Sequence, residues 1–265
     1  MNFRIIDIHT HAWPQKVAEK ARQQLESLFK VECVGIPTVD TLLAFMDRNK
    51  IDISCVCGVA TKPEQVPSIN NWLFGIRSSR LRVFCALHPF FKGWRDEIKR
   101  IKDNGDGIKF QPEFQGFYVD DEKMFNVYEE IEKKELPVLF HCGEELSGTM
   151  LVRSSPKRIN RVIEKFPHLK VIAAHFGGFR LWGEVEEYLL GKNVYVDTAF
   201  FFKFLPQDKI IKLITTHPSD KILFGTDFPL IDQKEDINYL LQLEINPSLK
   251  EKIFYKNAFS LLKID

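Results

Sequence analysis

The apolar positions of this chain gather into eight short runs, at residues 3–9, 53–59, 82–87, 107–111, 137–141, 170–175, 193–198 and 221–226. Most are rich in Val, Ile, Leu, Phe or Cys at consecutive rather than alternating positions. Such runs suit parallel strands covered on both faces. Between them the pattern shifts to helical spacing. Thr38 or Asp40 caps a helix carrying Leu42, Leu43, Phe45 and Met46. Asp120-Asp121-Glu122 opens a stretch with Phe125, Tyr128 and Ile131 in step and closes on Lys133-Lys134. Acid first and base last matches the helix dipole. Ser155-Pro156 starts another helix, with proline at its first position, carrying Ile159, Val162, Ile163 and Phe166. Further helices are expected near 93–104, 180–191 and 206–216, with two closing helices at 235–244 and 248–262. Residues 12–37 make a long connection expected to hold its own short helix.

Repeats of roughly 30 residues are the size of a βαβ unit. Eight of them predict an α/β fold, a single (β/α)8 TIM barrel over residues 1–265 with right-handed crossovers. A doubly wound open sheet would place a Gly-rich turn after its first strand. Here that strand runs into His9-Thr10-His11-Ala12-Trp13-Pro14, without glycine. At 45% hydrophobic and 28% charged residues the chain has room for a large core. Its formal net charge of +1 provides no global electrostatic reason for a nucleic-acid or membrane partner. No run reaches the ~18 apolar residues of a membrane span, and no signal-type apolar run opens the chain. The five cysteines include no CxxC pair, and Cys55, Cys57 and Cys85 sit within apolar runs. A reduced, cytoplasmic setting is the expectation.

The chemistry lies at the run ends. His9, His11, His141, His175 and Asp227 close four of them. Residues i and i+2 of a strand share a face, so His9 and His11 project together, ~7 Å apart. The carboxyl ends of barrel strands form the active-site face, so all five residues are expected to meet there. A lone strand-end histidine is more often a core or surface residue. Imidazoles and a carboxylate in this number suit zinc and similar metals. Lys109 ends the fourth run. His88 ends the third and could also face the mouth. His168 and His217, beside prolines in turns, are expected at the surface, and Cys142 should point away from the barrel interior. Arg153 could bind an anionic substrate or be a plain surface arginine, and Glu144 and Glu145 lie near the same mouth but are explained equally by a solvated turn. Trp13, Phe114, Phe117, Phe176, Phe200, Phe201 and Phe202 follow strands. Those that line the mouth would make it an apolar pocket for a ring or an extended acyl group.

Taken in order, several motifs carry a family resemblance. They are Asp7-Ile8-His9-Thr10-His11, Gly107-Ile108-Lys109-Phe110 with Gln115-Gly116-Phe117 after it, Pro137-Val138-Leu139-Phe140-His141, Ala174-His175-Phe176-Gly177-Gly178, Asn193-Val194-Tyr195-Val196-Asp197-Thr198, Phe224-Gly225-Thr226-Asp227-Phe228-Pro229 and Asn257-Ala258. With them the chain resembles the amidohydrolase superfamily, in its amidohydrolase-related branch. That branch includes decarboxylases similar to aminocarboxymuconate-semialdehyde decarboxylase. The resemblance covers nearly the whole chain. It implies a distorted barrel holding a divalent metal, foremost zinc, one per chain rather than two. His9, His11, His141 and Asp227 are then the implied metal ligands, with Asp227 also the general base. His175 is implied either as a further ligand or as a catalytic group that steadies a developing oxyanion. Lys109, if carbamylated, would be a ligand bridging two metals; otherwise it meets a substrate carboxylate or packs at the mouth.

Two reactions fit this resemblance. The main expectation is metal-dependent hydrolysis of an ester, lactone or amide through a metal-activated water. The alternative is a lyase that decarboxylates or hydrates an aromatic or unsaturated acid. TatD-like nucleases share the His and Asp order, but they carry a fourth-strand glutamate where this chain has Lys109. The intact ligand set argues against a non-catalytic metal-binding protein. A small-molecule substrate, and the homodimer common in the branch, are the expected partners.

Overall fold

The eight apolar runs become eight parallel strands. They are β1 (Ile6–Thr10), β2 (Ile53–Cys57), β3 (Leu81–Ala86), β4 (Gly107–Phe110), β5 (Val138–Phe140), β6 (Val171–Ala173), β7 (Tyr195–Asp197) and β8 (Ile222–Leu223). The computed structural model describes residues 3–146, 148 and 151–264. Each strand pairs with the next in sequence order. Ile8 N donates to Phe224 O at 2.9 Å and Asp227 N to His9 O at 2.8 Å, which brings β8 back onto β1. The result is the expected (β/α)8 TIM barrel.

The helices follow as α1 (Gln15–Phe29), α2 (Val39–Asn49), α3 (Val66–Ile76), α4 (Trp94–Asn104), α5 (Pro112–Gln115) and α6 (Phe125–Lys133). After them come α7 (Pro156–Lys165), α8 (Trp182–Tyr188), α9 (Gln207–Thr216), α10 (Gln233–Gln242), α11 (Pro247–Glu251) and α12 (Asn257–Leu262). Thr38 caps α2 by accepting from Thr41 N, as its sequence position predicts. The expected closing helix at 248–262 is α11 and α12 joined by a π turn, Lys252–Lys256. α1 is 15 residues long, more than the short helix expected there. α3 is not legible in the sequence, where Asn70-Asn71 and Gly75 read as turn formers. Burial of Val66, Asn70 and Leu73 on one face holds it helical. Among the described residues no helix is long and apolar enough to cross a membrane.

One irregularity aims the site. Asp7 pairs with Ser54, but the next registered pair is Thr10 with Val56. Ile8 and His9 therefore both stand opposite Cys55, a β-bulge. Ile6 and Ile8 pack inside the barrel with Cys55, Leu139, Ile172 and Leu223. Strict alternation would turn His9 outward. The extra residue turns it inward after Ile8, and His11 follows two positions on.

Candidate metal centre

The strand ends bring His9, His11, Lys109, His141, His175 and Asp227 into the lining of one cavity of about 950 Å³. Each histidine commits one ring nitrogen to an acceptor. His9 Nδ1 lies 2.9 Å from Asp197 Oδ2. His11 Nδ1 donates to Cys57 O at 2.9 Å, and His175 Nδ1 to Ala199 O at 3.0 Å. His141 uses Nε2 instead, donating to Glu144 O at 3.2 Å. These partners select the tautomers and leave four lone pairs pointing inward. Lys109 Nζ donates to the one on His9 Nε2 at 3.1 Å.

The remaining lone pairs face other acceptors. His175 Nε2 stands 3.0 Å from His141 Nδ1, and His11 Nε2 stands 3.2 Å from Asp227 Oδ1. Two acceptors at such distances repel unless a proton or a cation lies between them. Burial holds His141 well below the ordinary imidazole value, with His175 and Lys109 adding to the effect. Burial likewise lowers His175 to about 4. Burial would raise the Asp227 carboxyl, but His9 and His11 outweigh it and hold the group below the usual carboxylate range. Neutral imidazoles beside a carboxylate are the protonation state that a divalent metal requires. Single donor atoms of His9, His11 and Asp227 all lie within 4.8 Å of one another. The donor set thus fits a divalent cation of the borderline class.

Backbone strain concentrates here. His175 (φ 59°), Phe200 (φ 54°) and Asp227 (φ 63°) occupy the left-handed region just beyond β6, β7 and β8. Such residues cost of order 1–3 kcal/mol each and persist where the surroundings over-determine them. Asp7, facing outward from β1, helps secure the corner by accepting from Thr226 Oγ1 at 2.7 Å and Gln233 Nε2 at 2.8 Å. Gly143 does the same after β5. A Cβ there would stand 2.2 Å from Phe179 N, so only glycine admits the close approach that positions Phe179 at the cavity wall.

Several residues differ from their sequence reading. Glu145 is not part of a solvated turn. It is 2% exposed, accepts from Gln111 Nε2 at 2.6 Å and lies 3.3 Å from His141 Nε2. Burial, with Glu113 nearby, pushes its carboxyl up to about 8. Glu113 accepts from Ser154 Oγ at 2.9 Å through one oxygen, and its other oxygen is buried without a partner. Arg153 does not serve the cavity, because its guanidinium donates to Glu113 O. His217 is buried rather than at the surface, with Nε2 donating to Val194 O at 2.9 Å. His88 is buried too, accepts from Phe90 N, and does not line the cavity. His168 is exposed and Cys142 buried, with its thiol turned to Ser154 O and Gly177 O, as expected. Of the predicted aromatics, Trp13, Phe114 and Phe200 line the cavity. Phe117, Phe176, Phe201 and Phe202 are in the core.

Asp197 is a neighbour of the candidate centre to which the strand-end argument gave no role. It ends β7 as Asp227 follows β8, and its second oxygen accepts from His175 N at 2.8 Å. A carboxylate closing an apolar run was the available signal.

A sequence model of the amidohydrolase family matches residues 6–264. No curated protein matches the chain. Among solved structures, it is similar to 5-carboxyvanillate decarboxylase LigW from Sphingomonas paucimobilis (14% identity, 100% of each chain, TM-score 0.76). It is also similar to 2,6-dihydroxybenzoate decarboxylase from Rhizobium (17% identity, 100% of each chain, TM-score 0.76). A third is dihydroxybenzoic acid decarboxylase from Polaromonas, with bound manganese and 2-nitroresorcinol (17% identity, 99% and 98% of the chains, TM-score 0.74). At these identities the likeness is one of fold.

Proposed function

Because this chain belongs to the amidohydrolase family, we propose that it is a metal-dependent lyase that decarboxylates an aromatic or unsaturated carboxylic acid. The observation that carries the reading is the set of inward lone pairs and the Asp227 carboxylate at the inner end of an aromatic-walled cavity. The decarboxylases of 5-carboxyvanillate and 2,6-dihydroxybenzoate among the similar folds support it. Manganese is bound in one of them. The main sequence expectation, hydrolysis, therefore becomes the second reading.

His9, His11, His141 and Asp227 would hold the metal. When bound, it would supply a Lewis acid that anchors and polarises a substrate oxygen. Lys109, buried beside His9, offers a cation to the substrate carboxylate. Trp13, Phe179 and Phe200 flank the acid and exclude water. Asp227, a carboxylate at rest, takes one proton from the substrate hydroxyl or from solvent. It hands that proton to the carbon bearing the carboxyl group. The C–C electron pair then restores the ring or double-bond π system as CO2 leaves. His175, with its proton held by Ala199 O, presents the Nε2 lone pair and could only join the metal ligands, not donate to a substrate oxygen.

A second reading, hydrolysis, draws on the same carboxylate, which stays ionised and can accept a proton from an attacking water. The test is a panel of hydroxybenzoates and unsaturated acids, beside esters, lactones and amides, on protein loaded with zinc or manganese. Release of CO2, lost at least 100-fold in Asp227→Asn, is expected. Turnover of an ester or lactone without CO2 release from any acid would replace this reading with the second. Metal content discriminates further. One ion per chain, kept in Lys109→Ala, is expected, and two that fall to one in that variant would assign a carbamate bridge.

A further inference from the structure

The chemistry at the metal centre needs only the inner end of the cavity, yet the cavity continues outward to α1. Its outer wall takes Val17, Leu25, Leu28 and Phe29 from α1, faced by Ile69 and Trp72 of α3. From Lys16 to Phe29 the lining spans about 20 Å of helix axis at 1.5 Å per residue. Val17, Ala21, Leu25 and Leu28 recur at helical spacing on one face. Such a face ordinarily packs against protein, but here Val17 and Leu28 remain 38% and 43% exposed. Among the described residues Lys16 is the only charged side chain that α1 brings to the lining. Phe29 meets the Phe114 ring at 6.2 Å, which holds the far end of α1 against the rim. A one-ring acid seated at the metal centre would touch Trp13, Phe179 and Phe200 and leave this outer wall bare.

We propose that the acid taken at this centre carries an extended apolar arm, a hydrocarbon chain or a fused-ring part, which lies between α1 and α3. The proposal rests on the decarboxylase reading and narrows its substrate class. The arm covers the apolar face of α1 that the protein itself leaves open, and its length follows the cavity.

The test is a titration of the metal-loaded protein, followed by tryptophan fluorescence, with benzoate and its para-alkyl homologues from butyl to octyl. Trp13 and Trp72 report from the two ends of the wall. Each added methylene should tighten binding about fourfold until the channel is filled. Leu28→Glu, at an exposed position, should cut the octyl-to-benzoate affinity ratio at least tenfold, and Leu25→Gln should act the same way. Affinity that does not change with chain length overturns the proposal, as does a gain that survives both substitutions together. Binding is read apart from turnover. A chain-length gain without CO2 release from any acid defeats the lyase reading alone. CO2 release from one-ring acids with a flat series defeats the arm alone.

Discussion

His9 carries two commitments, and the first governs the second. Its Nδ1 faces Asp197 Oδ2 at 2.9 Å, so Nε2 holds the lone pair that points inward. Asp197→Asn preserves the shape but presents an amide that no longer selects this tautomer. Metal affinity is expected to fall 10–100-fold, measured by competition with a chromophoric chelator; wild-type affinity would remove Asp197 from the centre. The candidate ligands were legible because each ends an apolar run, and the i, i+2 rule needs no tertiary knowledge. The partners of those ligands were less so. Asp197 lies 188 residues from His9, and Glu113 meets His141 and Glu145 only when α5 packs against the segment after β5. A glutamate written beside another glutamate reads as solvent-facing until neighbouring groups bury it.

At the scale of elements, α3 shows a tertiary contact overriding local preference. Asn70 accepts from Ala86 N at 2.8 Å and donates to Ala86 O at 2.9 Å, as a neighbouring strand would. It also donates to Glu97 Oε1 at 2.7 Å, joining α3 to α4. Asn70→Leu leaves these buried groups without partners and should destabilise the fold by about 2–4 kcal/mol in urea titration. A loss under ~1 kcal/mol would show that water replaces the amide. α7 is tied differently. Arg158 and Arg161 meet Asp120 at 2.5 Å and 2.7 Å. Burial raises the Asp120 carboxyl, but the two arginines outweigh it and hold it below the ordinary value. A carboxyl lowered on folding stabilises above its unfolded value near ~4, and that contribution is lost as pH falls through the folded value. Asp120→Asn should therefore cost about 1 kcal/mol at neutral pH, discounted for the exposure of Arg161. The deficit should shrink in melts below pH ~4, and one that is constant with pH would remove the ion pairs as its cause.

For the whole molecule, the barrel brings like-polarity acceptors together, so a bound metal would add to stability. The 3.0 Å contact of His141 with His175 and the 3.2 Å contact of His11 with Asp227 lie between different strands. A cation that binds them only in the folded state stabilises by mass action, about 2.7 kcal/mol at 100 times its Kd. Chelation should lower the melting temperature and readdition of metal restore it, read by scanning calorimetry. An unchanged melt on removal of a stoichiometric metal would mean that the centre contributes nothing to the fold. The sequence by itself determined the eight strands, the barrel and the strand-end candidates that meet in one cavity, because periodicity and strand-end position are local properties. Only the tertiary structure decided the bulge that turns His9 inward, the burial of Glu145 and His217, and the distance of Arg153 from the cavity. It also decided the open apolar face of α1. Each depends on which surfaces meet across the barrel, and a contact between residues distant in sequence leaves no periodic trace along the chain.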